Sequence, residues 1–189
     1  MKMFPTGGGG RKSNLRPINV LKLSRGFTLV ELLVVIAIIG ILATLLLLQL
    51  GTARSKARDA SRIAHINQVR SAVEFFFDDN GKYFDSTTMT TLKGLTQIPR
   101  DLLAADCTNN VYDGRTSGAA QCYGYAWSPA ANPIKYHIWA ELEVWAKALD
   151  QDTDINSTGW SGAPVNGGVD AKTNCTPAAS DCVYDQGQP

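Results

Sequence analysis

Arg25-Gly26-Phe27-Thr28-Leu29-Val30-Glu31 opens the stretch that decides the fold, and an apolar run to Leu50 follows it. From Leu32 to Ala43 no side chain is polar, and after Thr44 the run resumes through residues 45–48 before Gln49, Leu50 and Gly51. At ~1.5 Å of rise per residue, a helix over residues 27–50 is about 36 Å long, enough to cross a hydrocarbon core of ~30 Å. A helix also satisfies its own backbone groups where no water can do so. Glu31 is the anomaly. A carboxylate at the centre of a bilayer costs roughly 2.5–3.5 kcal/mol, less near an end, and usually implies a partner. The plainer alternative is a first-turn acid at the interface, favoured by the helix dipole.

Charge is unevenly distributed. The first 26 residues carry Lys2, Arg11, Lys12, Arg16, Lys22 and Arg25 and no acid. Of 18 bases in the chain, 12 therefore remain against 17 acids beyond Gly26, a balance of −5. A basic flank before the span and an acidic remainder after it predict an N-terminus inside and a C-terminus outside. Residues 1–26 read as a leader, with a flexible Gly7-Gly8-Gly9-Gly10 tract and no apolar core of its own. The run Gly7 to Ser13 is not a phosphate-binding loop: Arg11 stands where a glycine is needed, and no strand precedes it.

A basic segment ending Arg25-Gly26, then Phe27, then Glu31 opening an aliphatic run, resembles the class III signal of type IV pilins and of the pseudopilins of type II secretion. The resemblance covers residues 25–51. It implies that a prepilin peptidase cuts between Gly26 and Phe27 and that the new amine is methylated. It also implies that Glu31 pairs with the Phe27 amine of a neighbouring subunit and so sets subunit register. The implied fold is the α+β pilin lollipop: a long N-terminal helix whose outer half packs on a small antiparallel sheet, with a loop-rich, disulfide-stapled C-terminal region. The implied location is the bacterial inner membrane, single-pass, before assembly into a periplasmic or surface filament. The implied partners are other copies of the chain, the peptidase, an inner-membrane assembly platform, minor pilins and membrane lipid. Many relatives carry a kinking proline at the position of Leu48; here Gly40 and Gly51 are the places where the helix could loosen.

Beyond Gly51 the apolar positions Ala53, Ala57, Ala60, Ile63, Ala64, Val69, Val73 and Phe76 recur at three- and four-residue spacing, which marks an amphipathic helix. Asp78-Asp79-Asn80-Gly81 ends it, with Gly81 as the C-terminal cap. The chain divides accordingly into a leader (1–26), a membrane and filament-core helix (27–51), an amphipathic outer half (52–80) and an extracytoplasmic domain (81–189). The bases from Arg54 to Arg70 read as a solvated face rather than a nucleic-acid or lipid surface, and residues 75–77 as core. A short helix is expected over residues 99–105 and turns over 108–118. Strands follow over 122–127 and 135–143, joined by a turn at 129–133. In the second strand Tyr136, Ile138, Ala140 and Leu142 share the face laid on the helix, while Lys135, His137, Trp139, Glu141 and Glu143 share the other. Residues 148–189 read as loop, with Val183-Tyr184 as a last strand.

Cys107 with Cys122, and Cys175 with Cys182, are neighbours in sequence, and an extracytoplasmic domain meets an oxidising environment. Of the three connectivities four cysteines allow, the two local pairs are favoured, and the spacings match no usual zinc pattern. Asp150, Asp152, Asp154 and Asn156 place oxygen ligands at alternate positions. A solvated acidic loop is the default account, and calcium is the ion such a pattern would take. An EF-hand is excluded, because Ile155 and Ser161 stand where its glycine and bidentate glutamate are required. Some secretion pseudopilins bind calcium in this region. His65 and His137 join no catalytic set, so no enzymatic site is expected. The reading is a structural subunit of a filament, by preference a type II secretion pseudopilin driving protein export. The alternatives are a pilin of a type IV pilus (adhesion, motility, DNA uptake) and an anchored binding module that never polymerises.

Overall fold

The computed structural model describes residues 26–89, 92–103, 107, 111–114, 116–117, 120–168, 170, 175 and 181–189. The leader other than Gly26, and residues 108–110, 115 and 118 of the expected turn region, lie outside these residues. By internal contacts the chain forms two units, Met1–Ala43 and Thr44–Pro189.

One helix, α1 (Leu29–Asn80, 52 residues), crosses both units. Its start is set by a reciprocal cap. The Glu31 backbone N–H donates to Thr28 Oγ1 at 3.2 Å, while the Thr28 N–H and hydroxyl donate to Glu31 Oε2 at 3.0 and 2.9 Å. The helix runs unbroken through Gly40, Leu48 and Gly51. Its end is the expected one: Gly81 adopts φ +69° and its N–H donates to the Phe77 carbonyl at 2.7 Å.

In the first unit every described side chain is exposed. Seventeen large apolar side chains from Phe27 to Leu50 stand exposed, far more contiguous apolar surface than a soluble domain leaves open. This part of α1 is long and apolar enough to cross a membrane.

The second unit builds its core on the last turns of α1. A two-stranded ribbon, β1 (Thr116–Ser117) with β2 (Ala120–Gln121), precedes the main sheet. That sheet contains β3 (Gly124–Ser128), β4 (Lys135–Glu141), β5 (Ser161–Gly162) and β6 (Val183–Gln188), all antiparallel, in the order β5-β3-β4-β6. Ile66, Val69, Ala72 and Val73 of α1 pack with Tyr125, Tyr136, Ile138 and Ala140 of the sheet. Burying each of the Val and Ile side chains among these stabilises by roughly 1.5–3 kcal/mol. Cys107 is bonded to Cys122, and Cys175 to Cys182, the two local pairs.

Four expectations need correction. Residues 99–103 are not helical, and 104–105 lie outside the described residues. The second strand ends at Glu141, and both its faces are buried: His137, Trp139 and Glu141 are closed off along with the apolar set. The cover on the far side is residues 151–168. Trp139 donates its indole N–H to the Ala163 carbonyl at 2.9 Å and packs with Ala163 and Val183. Phe75 is 53% exposed, and only Phe76 and Phe77 of the aromatic trio join the core. The basic stretch of α1 is not wholly solvated either, since Arg62 is buried among carboxylates.

Candidate assembly and cation sites

Gly26, Phe27 and Thr28 precede α1 and are exposed. From Gly26 to Ala53 the only charged side chain is Glu31. Its carboxylate is exposed and bound only to its own cap at Thr28 among the described residues. Exchanging that local cap for the ammonium of another chain would cost little geometrically, since neither partner is buried.

The acidic loop is arranged differently from its sequence spacing. Asp152 and Asp154 come together with Asp170, and one carboxylate oxygen from each lies within 4.8 Å of the others. Asp150 sits in a 3-10 turn (Lys147–Asp150) outside this group. Asn156 closes a small turn by accepting the Thr158 N–H at 3.0 Å.

Asp185, from β6, organises the loop. Its Oδ1 accepts the N–H groups of Thr153 and Asp154, both at 3.0 Å, and its Oδ2 accepts that of Ile155 at 2.7 Å. Gly167 allows this approach, because a Cβ there would fall 2.2 Å from Asp185 Oδ2. His137 Nε2 lies 2.7 Å from the same oxygen, off the line of a good hydrogen bond, and His137 Nδ1 contacts Ser157 Oγ at 2.8 Å. Serine, histidine and aspartate thus meet in space, which their sequence positions do not announce. They are no hydrolytic set: all three are fully buried, and the Ser157 hydroxyl is bound to both backbone groups of Val165.

The trio Asp152, Asp154 and Asp170 is short of positive charge. Burial first, then the charges of Asp185, Asp170 and Asp154, pushes Asp152 up to about 8. Burial and the neighbours Asp154, Asp185 and Asp150 push Asp170 up to about 6. Asp152 Oδ2 accepts the Asp185 N–H at 3.2 Å, but its buried Oδ1 has no hydrogen-bond partner among the described residues. An orphaned buried oxygen beside two more carboxylates fits a hard divalent cation.

A second charged cluster was not legible in advance. Arg62 on α1 binds Asp59 at 2.6 Å, Glu143 at 2.8 Å and the Asp101 carboxylate. Arg58 donates Nε and Nη2 to the two oxygens of Glu143 at 2.7 and 2.5 Å. That fork, with the added charge of Arg62, holds Glu143 down at about 2. Asp59 in turn accepts the backbone N–H groups of Glu143 and Val144. The one hint in sequence is the matched Asp59/Arg62 pair at i,i+3.

A capped apolar helix with one carboxylate near its start, continuing into the core of a disulfide-linked α+β domain, defines a helix-anchored subunit. The prokaryotic N-terminal methylation motif matches residues 21–47. The chain is 31% identical over 156 residues to a fimbrial protein of Neisseria meningitidis, covering 80% of this chain and 81% of that one. It is 38% identical over 79 residues to the type IV wide pilus major component PilA4 of Thermus thermophilus, covering 42% of this chain and 60% of the relative. It is 37% identical over 75 residues to the type II secretion system core protein G of Escherichia coli, covering 40% of this chain and 50% of the relative. The chain thus spans about half to three-fifths of the length of the Thermus and Escherichia relatives. No solved structure matches. The chain belongs to the type IV pilin and pseudopilin family.

Proposed function

We propose that the chain is a filament subunit without a reaction of its own. It is made as a preprotein, cut after Gly26 by a prepilin peptidase and methylated on the Phe27 amine. Residues 27–51 then hold it in the inner membrane, its C-terminal domain outside, until an assembly platform and minor pilins draw it into the polymer. The carrying observation is α1 itself: seventeen exposed large apolar side chains over residues 27–50, with Glu31 the lone charge. Such a surface needs lipid first and other copies afterwards, and in a low-dielectric bundle Glu31 has one complementary partner, the amine freed at a neighbour's Phe27.

The pilus version is supported by the match to the fimbrial protein, which runs through most of both chains. The secretion matches are confined to about 40% of this chain. The pseudopilin version has its own support in the carboxylate trio. Asp152, Asp154 and Asp170 would hold calcium, with loop carbonyls and water completing the shell. The ion would supply charge that rigidifies residues 151–170.

The test is to express wild type and Glu31→Ala with a peptidase and an assembly system, and to image shed filaments. Filaments from wild type and none from the variant, which stays membrane-bound, is the expected result. Equal filament yield from both would end the assembly role of Glu31.

A further inference from the structure

Besides the two sites above, the second unit has a cleft of about 340 Å³ between α1 and the loop after β4, with Lys56, Asp59 and Ile63 on one wall and Val144, Trp145 and Lys147 on the other. We propose that this cleft seats the phosphodiester headgroup of an anionic phospholipid, held between Lys56 and Lys147, while the subunit waits in the membrane. The inference rests on the membrane-anchored reading given above.

Three observations carry it. The first is depth. Lys56 lies six residues beyond Leu50, the last of the apolar run. That is about 9 Å along a helix, just past a headgroup layer of about 5–7 Å, within reach of an ammonium carried on a four-carbon stem. Helical side chains lean toward the N-terminus, so Lys56 leans back toward the bilayer. The second is charge. Lys56 and Lys147 are exposed and have no ion-pair partner among the described residues. The carboxylate in the wall does not oppose an anion freely, because Asp59 is already bound by Arg62 and by the N–H groups of Glu143 and Val144. The third is composition. Ile63, Val144 and the Trp145 ring offer apolar walls beneath two ammonium groups, and tryptophan is enriched at membrane interfaces. The indole N–H of Trp145 has no acceptor among the described residues, so the wall holds one more unsatisfied donor. A second copy pressing its apolar helix here would leave both ammonium groups unpaired, whereas a lipid brings a phosphate to them.

The test reconstitutes the full chain in vesicles of phosphatidylcholine with a minority of photoactivatable phosphatidylglycerol. The readouts are lipid retained on the extracted protein and the crosslinked peptide. Phosphatidylglycerol should be retained selectively and crosslink to peptides containing Lys56 or Lys147. Lys147→Gln should lower that selectivity about fivefold, and the double variant with Lys56→Gln about twentyfold. Lys147→Arg should keep it. Lys147 is the diagnostic residue, being remote in sequence from the basic flank of the span. Unchanged selectivity in Lys147→Gln would overturn the site, as would crosslinks to a second copy of the chain. Displacement of the label by soluble glycerol phosphate would overturn the lipid as its source. A chain that alkaline carbonate strips from the vesicles would sink the anchored reading together with this one. A chain that integrates but ignores the headgroup would sink this one alone.

Discussion

Arg62 and Glu143 meet at 2.8 Å, 81 residues apart, and their contact ties α1 to the loop that leaves β4. The guanidinium is almost closed to solvent and faces Asp59 and Asp101 as well. Removing a partner from a buried ionic cluster leaves charge without compensation. Arg62→Ala should therefore destabilise the domain by about 3–5 kcal/mol, and Arg62→Lys should restore only part, since an ammonium lacks the fork. Denaturant unfolding of the detergent-solubilised chain reads this directly. A loss below about 1 kcal/mol would mean the cluster acts as a surface pair.

The same cluster sets behaviour in acid. Glu143 has its folded value depressed to about 2 from an ordinary 4.5. A depressed carboxylate contributes stability that is present above its unfolded value and lost as pH falls through the folded one. Melting temperature should fall between about pH 4.5 and 2, and Glu143→Gln should flatten that part of the curve. An equally steep fall in the variant would assign the acid limb elsewhere.

The carboxylate trio predicts the opposite slope at higher pH. Asp152 is raised to about 8 from 3.8 and Asp170 to about 6. A group raised on folding contributes stability fully present below its unfolded value and lost as pH climbs through the folded one. Without divalent ions, stability should decline from about pH 4 to pH 8. Calcium should reverse the decline, its stabilising effect growing over the same interval as the carboxylates ionise. Asp152→Asn should stabilise the calcium-free protein near pH 8 and abolish most of the calcium response. Calorimetry with calcium and with chelator measures both, and a variant that still gains as much from calcium as wild type would remove Asp152 from the site.

Gly167 gives an independent handle on the same loop. A Cβ there would press to 2.2 Å from Asp185 Oδ2, the oxygen that holds the Ile155 N–H. Gly167→Ala should cost about 1–3 kcal/mol through loss of that buried hydrogen bond, and should weaken calcium binding without touching a ligand. Calorimetric titration of the variant decides it. Unaltered affinity would show that Asp185 does not position the loop.

Local pattern made the helix legible. A continuous apolar run, then three- and four-residue spacing, then Gly81, fixed α1 to within two residues at each end. The hairpin was legible because alternation and turn residues are local as well. What sequence missed depends on distant partners. What covers the far face of β4 was not legible because its polar residues find their partners in remote segments: His137 meets Ser157, and Glu141 accepts the Cys182 N–H at 3.2 Å. Arg62 looked like a surface base because Asp101 lies 39 residues away. In the acidic loop only two of the four residues marked by alternate spacing, Asp152 and Asp154, come together. Asp170 joins through folding of the loop around Asp185, and no spacing rule announces that.

The central claim is that residues 1–26 are a leader and that the mature chain begins at Phe27. Intact-mass measurement of the membrane-extracted protein, made with and without a prepilin peptidase, tests it most directly. The account predicts a product that starts at Phe27 and carries one added methyl group when the peptidase is present, and the full chain when it is absent. A chain that keeps residues 1–26 beside an active peptidase would contradict it, and residues 29–50 would then be a plain anchor.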